Sequence, residues 1–417
     1  MGSSDIMRLR NMPTKEILEK YANVLINFAL NGGRGVKKGE VVFLQVPESA
    51  KPMLFVLRDA VLKAGAYPIT NYLPDDYTRG FFEIANDDQI KFFPAKLLKG
   101  RVDEMDHRVG IIAETNKYEF KGIDPKKIMT SGLSLKPYRD WMDEKEDKGK
   151  MTWTVAMYAT EAMAKEVGLS LDQYWGEIIK GCYLDFPNPV KKWKEVFNQT
   201  EKLKIRLNEL DIRKLRVEAK DTDLIMGIDK NRKWISCDGR NIPSYEIFIS
   251  PDCNRTEGHI SFSEPLYRYG NVVKGVKLEF KKGKVTKASA KEGLNILAEM
   301  IKTPGANKVG EFSLTDSRFS MITRFMGETL FDENVGGKYG NTHIALGMAY
   351  KDSYPSNPSK VSKKRWKEMG YNDSSVHTDI VSTTDRKVTA TLSDGSKIII
   401  YKTGSLPFIE ISLYHYP

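Results

Sequence analysis

Histidines and carboxylates that could bind a metal are concentrated in the second half of this 417-residue chain. Four of the five histidines lie there: His259, His343, His377 and His415. His377-Thr378-Asp379 has i, i+2 spacing, so on a β-strand the His and Asp side chains point to one face and can reach one metal site. Imidazole and carboxylate together suit Zn, Co or Mn. The pair predicts a metal site, although an HxD pair is also common in proteins without one.

Three further residues could complete such a site from other parts of the chain. Glu246 lies in NIPSYEIF, Glu311 in VGEFSL and His343 in NTHIALGMAY. A strand or a turn would supply each side chain separately, as expected for a site at the centre of a β-domain. Because carboxylates can bridge two cations, this set favours a two-metal centre. Taken singly, each residue is more often an ordinary surface carboxylate or a structural histidine.

The elements that must position these residues are short strands. From about residue 215, alternating apolar runs are separated by Asp-Gly, Lys-Gly and similar turns, which predicts an antiparallel, β-rich domain. One helix is expected within residues 291–302.

The first half has a different pattern, in which apolar runs alternate with helical periodicity. Strands are predicted at residues 40–46, 66–73, 109–114 and 152–158. Helices are predicted over 14–30, capped by Thr14, over 47–64, from the second strand to about residue 98, near 160–180 and over 189–207. This alternation indicates an α/β domain with a mainly parallel sheet. The predicted domains are residues 1–205 and 206–417. Neither GxGxxG nor GxxxxGK[ST] is present, so a nucleotide site is disfavoured.

Composition narrows the class of protein. The 65 Lys+Arg and 55 Asp+Glu give a net charge of +10, but the basic residues are dispersed, with the densest run at 360–367. A nucleic-acid partner is therefore unlikely on this pattern. No apolar run of membrane-spanning length is present, and residues 1–12 lack the apolar segment of a secretory signal. Three cysteines without CxxC spacing favour a reducing, cytoplasmic setting.

Five ordered motifs carry a family resemblance. They are NIPSYEIFISPD (241–252), EPLYRYGNVVKGVKLEFKKGKV (264–285), VGEFSL (309–314), LFDEN with THIALGMAY (330–350) and NDSSVHTD (372–379). In this order they resemble the thermophilic-type metalloaminopeptidases, the family of aminopeptidase T, aminopeptidase S and PepS. The segments YANVLINFALNGGRGVKKGEVVFLQ and LKAGAYPITNYL resemble its N-terminal α/β domain, so the resemblance covers most of the chain.

The resemblance implies specific roles for the residues that match its motifs. Five residues would bind two divalent ions (Co, Zn or Mn), with Glu311 bridging them and Asp379 a candidate for sharing between them: Glu246, Glu311, His343, His377 and Asp379. Tyr350, seven residues after His343, matches the family's active-site tyrosine. We also expect Asp373 and Ser374 to orient the His377 ring, and His259 to be structural or pocket-lining.

The implied activity is removal of the N-terminal residue from peptides with a free N-terminus, by a metal-activated water at a dinuclear site. Tyr350 would stabilise the developing oxyanion, and Glu311 and Glu333 are candidates for the general base. A homodimer is also implied. The alternatives are another dinuclear hydrolase (an amidase or dipeptidase), a family member that has lost activity, and a non-enzymatic protein that binds metal or nucleic acid.

Overall fold

The first half of the chain builds a parallel sheet whose strands alternate with helices, as predicted. A computed structural model describes residues 13–236 and 238–407, so residues 1–12, Cys237 and His415 lie outside the described residues. The first four strands are β1 Val41–Pro47, β2 Tyr67–Leu73, β3 His107–Ile112 and β4 Thr152–Met157. They pair in the order β2-β1-β3-β4, all parallel. The prediction of an α/β half is therefore confirmed.

Helices pack around this sheet. The first runs over Lys15–Val24, where the Thr14 side chain accepts a hydrogen bond from the Ile17 N–H, and it continues as a π-helical turn, Leu25–Ala29. The helices that follow span Lys51–Lys63, Tyr77–Ile84, Asp87–Lys91, Ala95–Glu104, Pro125–Ser134, Lys136–Asp147, Glu161–Glu166, Leu171–Gly181 and Pro189–Glu209. The pair over residues 125–147 was not predicted.

The second half is antiparallel and β-rich, again as predicted. Its strands are β5 Ile212–Ala219, β6 Thr222–Gly227, β7 Ile235–Ser236, β8 Asn241–Ile242, β9 Glu246–Ile249, β10 Asp252–Ser261, β11 Leu266–Arg268, β12 Asn271–Val273, β13 Lys277–Lys281, β14 Lys284–Ser289, β15 Val309–Thr315, β16 Asn341–Gly347, β17 His377–Ser382, β18 Lys387–Leu392 and β19 Lys397–Lys402. The helices are Leu294–Lys302, Thr329–Asp332 and Lys363–Glu368.

Two antiparallel sheets and one hairpin contain almost all of these strands. One sheet has seven strands in the order β14-β13-β10-β6-β5-β18-β19, and the other has five in the order β17-β16-β15-β9-β7. β11 and β12 pair only with each other; we call them the 266–273 hairpin. The antiparallel sheet β17-β16-β15-β9-β7, called the five-stranded sheet from here on, contains every predicted metal ligand.

The two halves share one hydrophobic core. β8, from the second half, adds to the parallel sheet beside β4. On the Pro189–Glu209 helix, the fully buried Trp193 stacks on Phe28 (5.9 Å between ring centroids) and on Tyr245 (5.5 Å). This core fixes the start of β9, which carries Glu246, relative to the first half. The division at residues 205 and 206 stays a prediction, and the Pro189–Glu209 helix crosses it.

Gly347 shows how tightly the strands of the site are packed. It ends β16 directly opposite His377, has φ +110°, and an added Cβ would lie 1.9 Å from the Val376 carbonyl oxygen. We expect Gly347→Ala to force β16 and β17 apart and to lower the free energy of unfolding by about 2 kcal/mol or more, measured by chemical denaturation.

The matched control is Gly100→Ala in the Ala95–Glu104 helix, where an added Cβ meets nothing within 4 Å. That change should be neutral or stabilise by up to about 1 kcal/mol. Equal stability of the two variants would contradict the packing described for Gly347.

Candidate metal centre

Strand register places the five predicted ligands on one face of the five-stranded sheet. His377 and Asp379 of β17 lie opposite Gly347 and Ala345 of β16, and Ala345 also faces Glu311 of β15. His343 of β16 faces Ser313, and Glu246 of β9 faces Thr315. Because opposed residues in antiparallel strands share a face, all five side chains point the same way. Gly347 and Ala345 are small, so the surrounding ligand side chains can converge above them.

The side-chain atoms of these residues lie within a few ångströms of one another. Nε2 of His343 is 3.3 Å from Oε2 of Glu246 and 3.4 Å from Oε1 of Glu311. Nε2 of His377 is 3.4 Å from Oδ1 of Asp379 and 3.7 Å from Oε2 of Glu311. Glu311 therefore presents one oxygen to each histidine. This is the geometry that a bridging carboxylate needs.

Neighbouring groups orient two of these side chains. Ser313 Oγ donates a hydrogen bond to Oε2 of Glu246 (2.9 Å). Nδ1 of His377 lies 2.9 Å from the Met348 carbonyl oxygen, which can only accept, so Nδ1 carries the proton and Nε2 is directed at the carboxylates.

The expectation that Asp373 and Ser374 orient the His377 ring is wrong. Asp373 pairs with Lys136 (3.1 Å), and Ser374 Oγ donates to the Pro304 carbonyl oxygen (2.7 Å). The main-chain carbonyl of Met348 already occupies the ring nitrogen that they would have bonded.

Glu333 joins the cluster as a fourth carboxylate. It follows the short Thr329–Asp332 helix, is 4% exposed, and lies close enough to His343 and Asp379 to share a cation with them. Asn241 Nδ2 donates to its Oε1 (2.9 Å). From the sequence, Glu333 was a candidate base only, because its place beside strands β16 and β17 depends on the fold of the loop that carries it.

Tyr350 lies at the edge of the cluster, as the resemblance implied. Its ring centroid is 4.9 Å from that of His377 and 5.7 Å from that of Phe248. Burial, and after it the charge of Glu311, raises the pKa of Tyr350 well above its ordinary value. The phenol is therefore a neutral O–H donor at physiological pH.

Arg240 is a residue near the site that the sequence analysis missed. Its guanidinium lies 5.8 Å from the Tyr350 ring centroid. It pairs with Glu146 (2.7 Å) and Asp352 (2.7 Å), as well as with Asp238. Glu146 belongs to the Lys136–Asp147 helix of the first half, so this network ties the two halves together beside Tyr350. Because Glu146 and Asp352 lie far from Arg240 in the chain, no local sequence pattern indicates these ion pairs.

The cluster retains protons because its negative charges are buried together. Burial raises the pKa of Glu311 to about 7. Burial, and after it the charge of Glu246, raises the pKa of Glu333 well above its ordinary value. Burial alone would lower the pKa of His377, but Asp379 and Glu311 outweigh it and raise the pKa to about 9. Burial alone would also lower the pKa of His343, but the hydrogen bonds that its ring donates to the carboxylates of Glu246 and Glu311 outweigh burial and raise the pKa well above its ordinary value.

These residues fit a divalent metal. Oε2 of Glu311 is buried and has no hydrogen-bond partner among the residues that the structure describes, which is costly unless a cation or other partner satisfies it. Within residues 13–236 and 238–407, three sets of donors are close enough to hold an ion: Glu246–Glu311–His343, Glu311–His377–Asp379 and Glu333–His343–Asp379. Carboxylate oxygens with imidazole nitrogens suit Zn, Co or Mn. Such an ion would replace the protons that the cluster holds.

The remaining described histidines lie away from the cluster. His107 is buried, with Nε2 2.8 Å from Glu40 and Nδ1 2.9 Å from Thr152, and it has a structural role. His259 was expected to be structural or pocket-lining, but it is exposed on β10. Because successive side chains of a strand point to opposite faces, its neighbour Ile260 lies in the core instead.

The fold and this donor set together indicate a metal-dependent hydrolase built from an α/β half and an antiparallel β half. The chain belongs to the thermophilic metalloprotease family, whose model matches residues 14–406. The resemblance seen in the motifs is thereby confirmed, and so is the expectation of a peptidase of the metal-dependent class.

Curated relatives and a solved structure agree. Aminopeptidase PepS of Streptococcus thermophilus is 29% identical over 420 residues, which cover 94% of this chain and 98% of that protein. Aminopeptidase T of Thermus thermophilus is 25% identical over 417 residues, which likewise cover 94% of this chain and 98% of that protein. The solved structure of wild-type AmpT from Thermus thermophilus superposes with a TM-score of 0.80 at 22% identity, over 94% of this chain and 99% of that one, and it shows a common fold.

A search of the described helices for membrane spans gives a negative result. Within residues 13–236 and 238–407, none combines the length and the apolar character that crossing a membrane requires.

The protons held by the cluster predict how stability depends on pH. The pKa of His377 is about 9 in the folded chain and 6.5 ordinarily, so the folded state keeps a proton that the unfolded state releases between these values. That contribution to stability is complete below about pH 6.5 and is lost as the pH rises to 9. Glu311 acts in the same direction between 4.5 and about 7.

We therefore expect the melting temperature of metal-free protein to fall between pH 6.5 and 9, measured by calorimetry. Replacement His377→Gln should make the dependence shallower, because the titrating group is removed. A melting temperature that rises over this range would contradict the charge balance described here.

Proposed function

We propose that this protein is an aminopeptidase whose active centre holds two divalent ions on the face of the five-stranded sheet. The proposal rests on the position of Glu311, because each of its two carboxylate oxygens faces a different histidine. The relatives PepS and aminopeptidase T are both named aminopeptidases, which supports this specificity within the family.

In this proposal the ligands divide into two sets that share Glu311. Glu246 and His343 would hold one ion with it, and His377 and Asp379 would hold the other. Asp379 is also within reach of His343 (3.9 Å), so it could be shared. The ions are Co, Zn or Mn, whose preferred ligands match these donors.

Bound divalent ions supply a water of lowered pKa and a Lewis acid for the scissile carbonyl. The chain's own groups then act around the peptide. Tyr350 donates its phenol O–H to the oxygen on which negative charge develops. Glu333 and Glu311 are the candidates for the general base, a role that each can fill only as the ionised carboxylate; burial raises the pKa of both groups and so makes each carboxylate a stronger base. Carboxylates of the cluster attract the free α-amino group of the substrate.

The proposal includes a homodimer, as the resemblance implied, and a cytoplasmic location, as the cysteine pattern favoured, and it disfavours nucleic acid as a partner. The basic segment over residues 354–371 bears on this last point. Trp366, Met369 and Tyr371 in this segment pack with Ala349 into a small hydrophobic cluster, and the lysines of the Lys363–Glu368 helix are exposed around it. Steep salt-dependent binding of DNA would revive the nucleic-acid alternative.

The first experiment is reconstitution of metal-free protein with Co²⁺, Zn²⁺ or Mn²⁺, followed by assay on aminoacyl p-nitroanilides with free and with acetylated α-amino groups. We expect turnover of the free substrates only. No turnover with any of the metals while they remain bound would contradict the proposal, and turnover of acetylated substrates would favour an amidase.

Removal of the bridging carboxylate should abolish activity without unfolding the chain. We expect Glu311→Gln to lower kcat/KM by about 100-fold or more, since even the outer partners of metal ligands cost about 10- to 100-fold when mutated. Metal content, measured by plasma mass spectrometry, should fall in parallel. Glu195→Gln, a half-exposed carboxylate on the Pro189–Glu209 helix, is the control. Full activity of the Glu311 variant would remove this residue from the centre.

Tyr350→Phe should separate catalysis from metal binding. The variant loses the O–H donor but keeps the ring packing on His377, so we expect kcat to fall by about 100-fold while metal content stays the same. Tyr72→Phe, on exposed strand β2, serves as the control. An unchanged kcat would exclude the phenol from the reaction, whereas loss of metal would assign it a structural role.

A further inference from the structure

The 266–273 hairpin carries an arginine to the edge of the metal cluster. Its strand β11 lies against β17, the outermost strand of the five-stranded sheet. Nη2 of Arg268 donates a hydrogen bond to the carbonyl oxygen of His377 (2.9 Å). The Arg268 side chain is nevertheless exposed, with its guanidinium carbon 5.2 Å from the centroid of the Tyr269 ring, and a guanidinium has more N–H donors than these contacts use.

The 266–273 hairpin contacts the first half of the chain at several points. These contacts fix the position of Arg268. Tyr267 Oη donates to Glu166 of the first half (2.8 Å). Gly270 packs so closely on Phe120 that an added Cβ would lie 2.6 Å from the Phe120 nitrogen. Tyr269 joins a hydrophobic cluster with Phe82. The guanidinium therefore stands at the junction of the halves rather than on a free loop.

Arg268 differs from other cations near the centre in lacking an ion-pair partner. Arg240 is paired with Glu146 and Asp352, and Lys117 lies 2.9 Å from Glu328. Among the residues that the structure describes, no carboxylate oxygen lies within 4.0 Å of the Arg268 guanidinium. The charge of Arg268 nevertheless affects the centre. Burial alone would raise the pKa of Asp379, but His377, His343 and then Arg268 lower it below its ordinary value.

The site consequently has a polarity along the order of its strands. Carboxylates from β9 and β15 lie at one end, the histidines and Asp379 follow, and an unpaired guanidinium lies beyond β17. A dipeptide has the matching polarity, with an ammonium group at one end and a carboxylate one residue after the scissile bond, about 3.5 Å further along an extended chain. Guanidinium and carboxylate form charge-assisted, often bidentate, hydrogen bonds.

We propose that Arg268 binds the C-terminal carboxylate of short peptides and so gives this enzyme a preference for dipeptides. The inference rests on the proposed aminopeptidase function and names the substrate class of the same centre. An arginine suits this role better than a lysine, because its planar fork matches both carboxylate oxygens.

The test compares three leucyl substrates: Leu-Ala, its C-terminal amide, and leucyl p-nitroanilide. For the wild type, kcat/KM on Leu-Ala should exceed that on the amide by about 10- to 100-fold, the range for a hydrogen bond to a charged group. Arg268→Gln should lower kcat/KM on Leu-Ala by a similar factor and leave the other two substrates within about twofold of the wild type. Arg268→Lys should restore part of the activity on Leu-Ala.

The control is Arg216→Gln on β5, whose guanidinium is paired with Asp223 (2.8 Å) on the seven-stranded sheet; it should match the wild type on all three substrates. An equal loss on all three substrates in the Arg268 variant would show a structural effect through His377 and overturn the inference. An unchanged preference for Leu-Ala in the Arg268 variant would also overturn it. Failure of the wild type to cleave leucyl p-nitroanilide would instead overturn the proposed function, and this inference with it.

Discussion

Burial of four carboxylates on one face of a sheet is the constraint on which the rest of this structure depends. Like charges this close cannot all be ionised in a buried site unless positive charge compensates them. In the absence of metal, protons on Glu311, His343 and His377 supply part of that compensation. Divalent cations supply it better, because carboxylate and imidazole are their preferred ligands. Because bound cations relieve this repulsion between carboxylates, the repulsion that destabilises the metal-free cluster also favours metal binding.

The strands and the shared core hold this repulsive cluster together. On the opposite face of the sheet from the ligands, the strands carry fully buried apolar residues, among them Phe312, Ile344 and Ile380. Ladder hydrogen bonds between β15, β16 and β17 fix the ligands in register, so no ligand can withdraw without breaking the sheet. Packing of Trp193 on Tyr245 then connects this sheet to the parallel one. Pairing of Arg240 with Glu146 completes the connection beside Tyr350.

Local patterns allowed much of this arrangement to be predicted from the sequence. The i, i+2 spacing of His377 and Asp379 requires only a strand, and the alternation of apolar runs and helices defined the parallel sheet. The motif order supplied Glu246, Glu311 and His343. Contacts that depend on tertiary structure were beyond reach: the Met348 carbonyl that orients His377, for example, is a main-chain group without any residue signature. The helix Lys136–Asp147 was missed because most of its residues are polar and none of them is buried.

The central claim is that this sheet face binds two ions with Glu311 between them. Anomalous diffraction from crystals of the zinc-loaded protein, recorded at the zinc edge, tests it most directly. The account predicts two peaks above β15, β16 and β17, each about 2.0–2.2 Å from its carboxylate and imidazole ligands, with one oxygen of Glu311 on each. A single peak not bound by Glu311, or peaks only at sites away from this face, would contradict it.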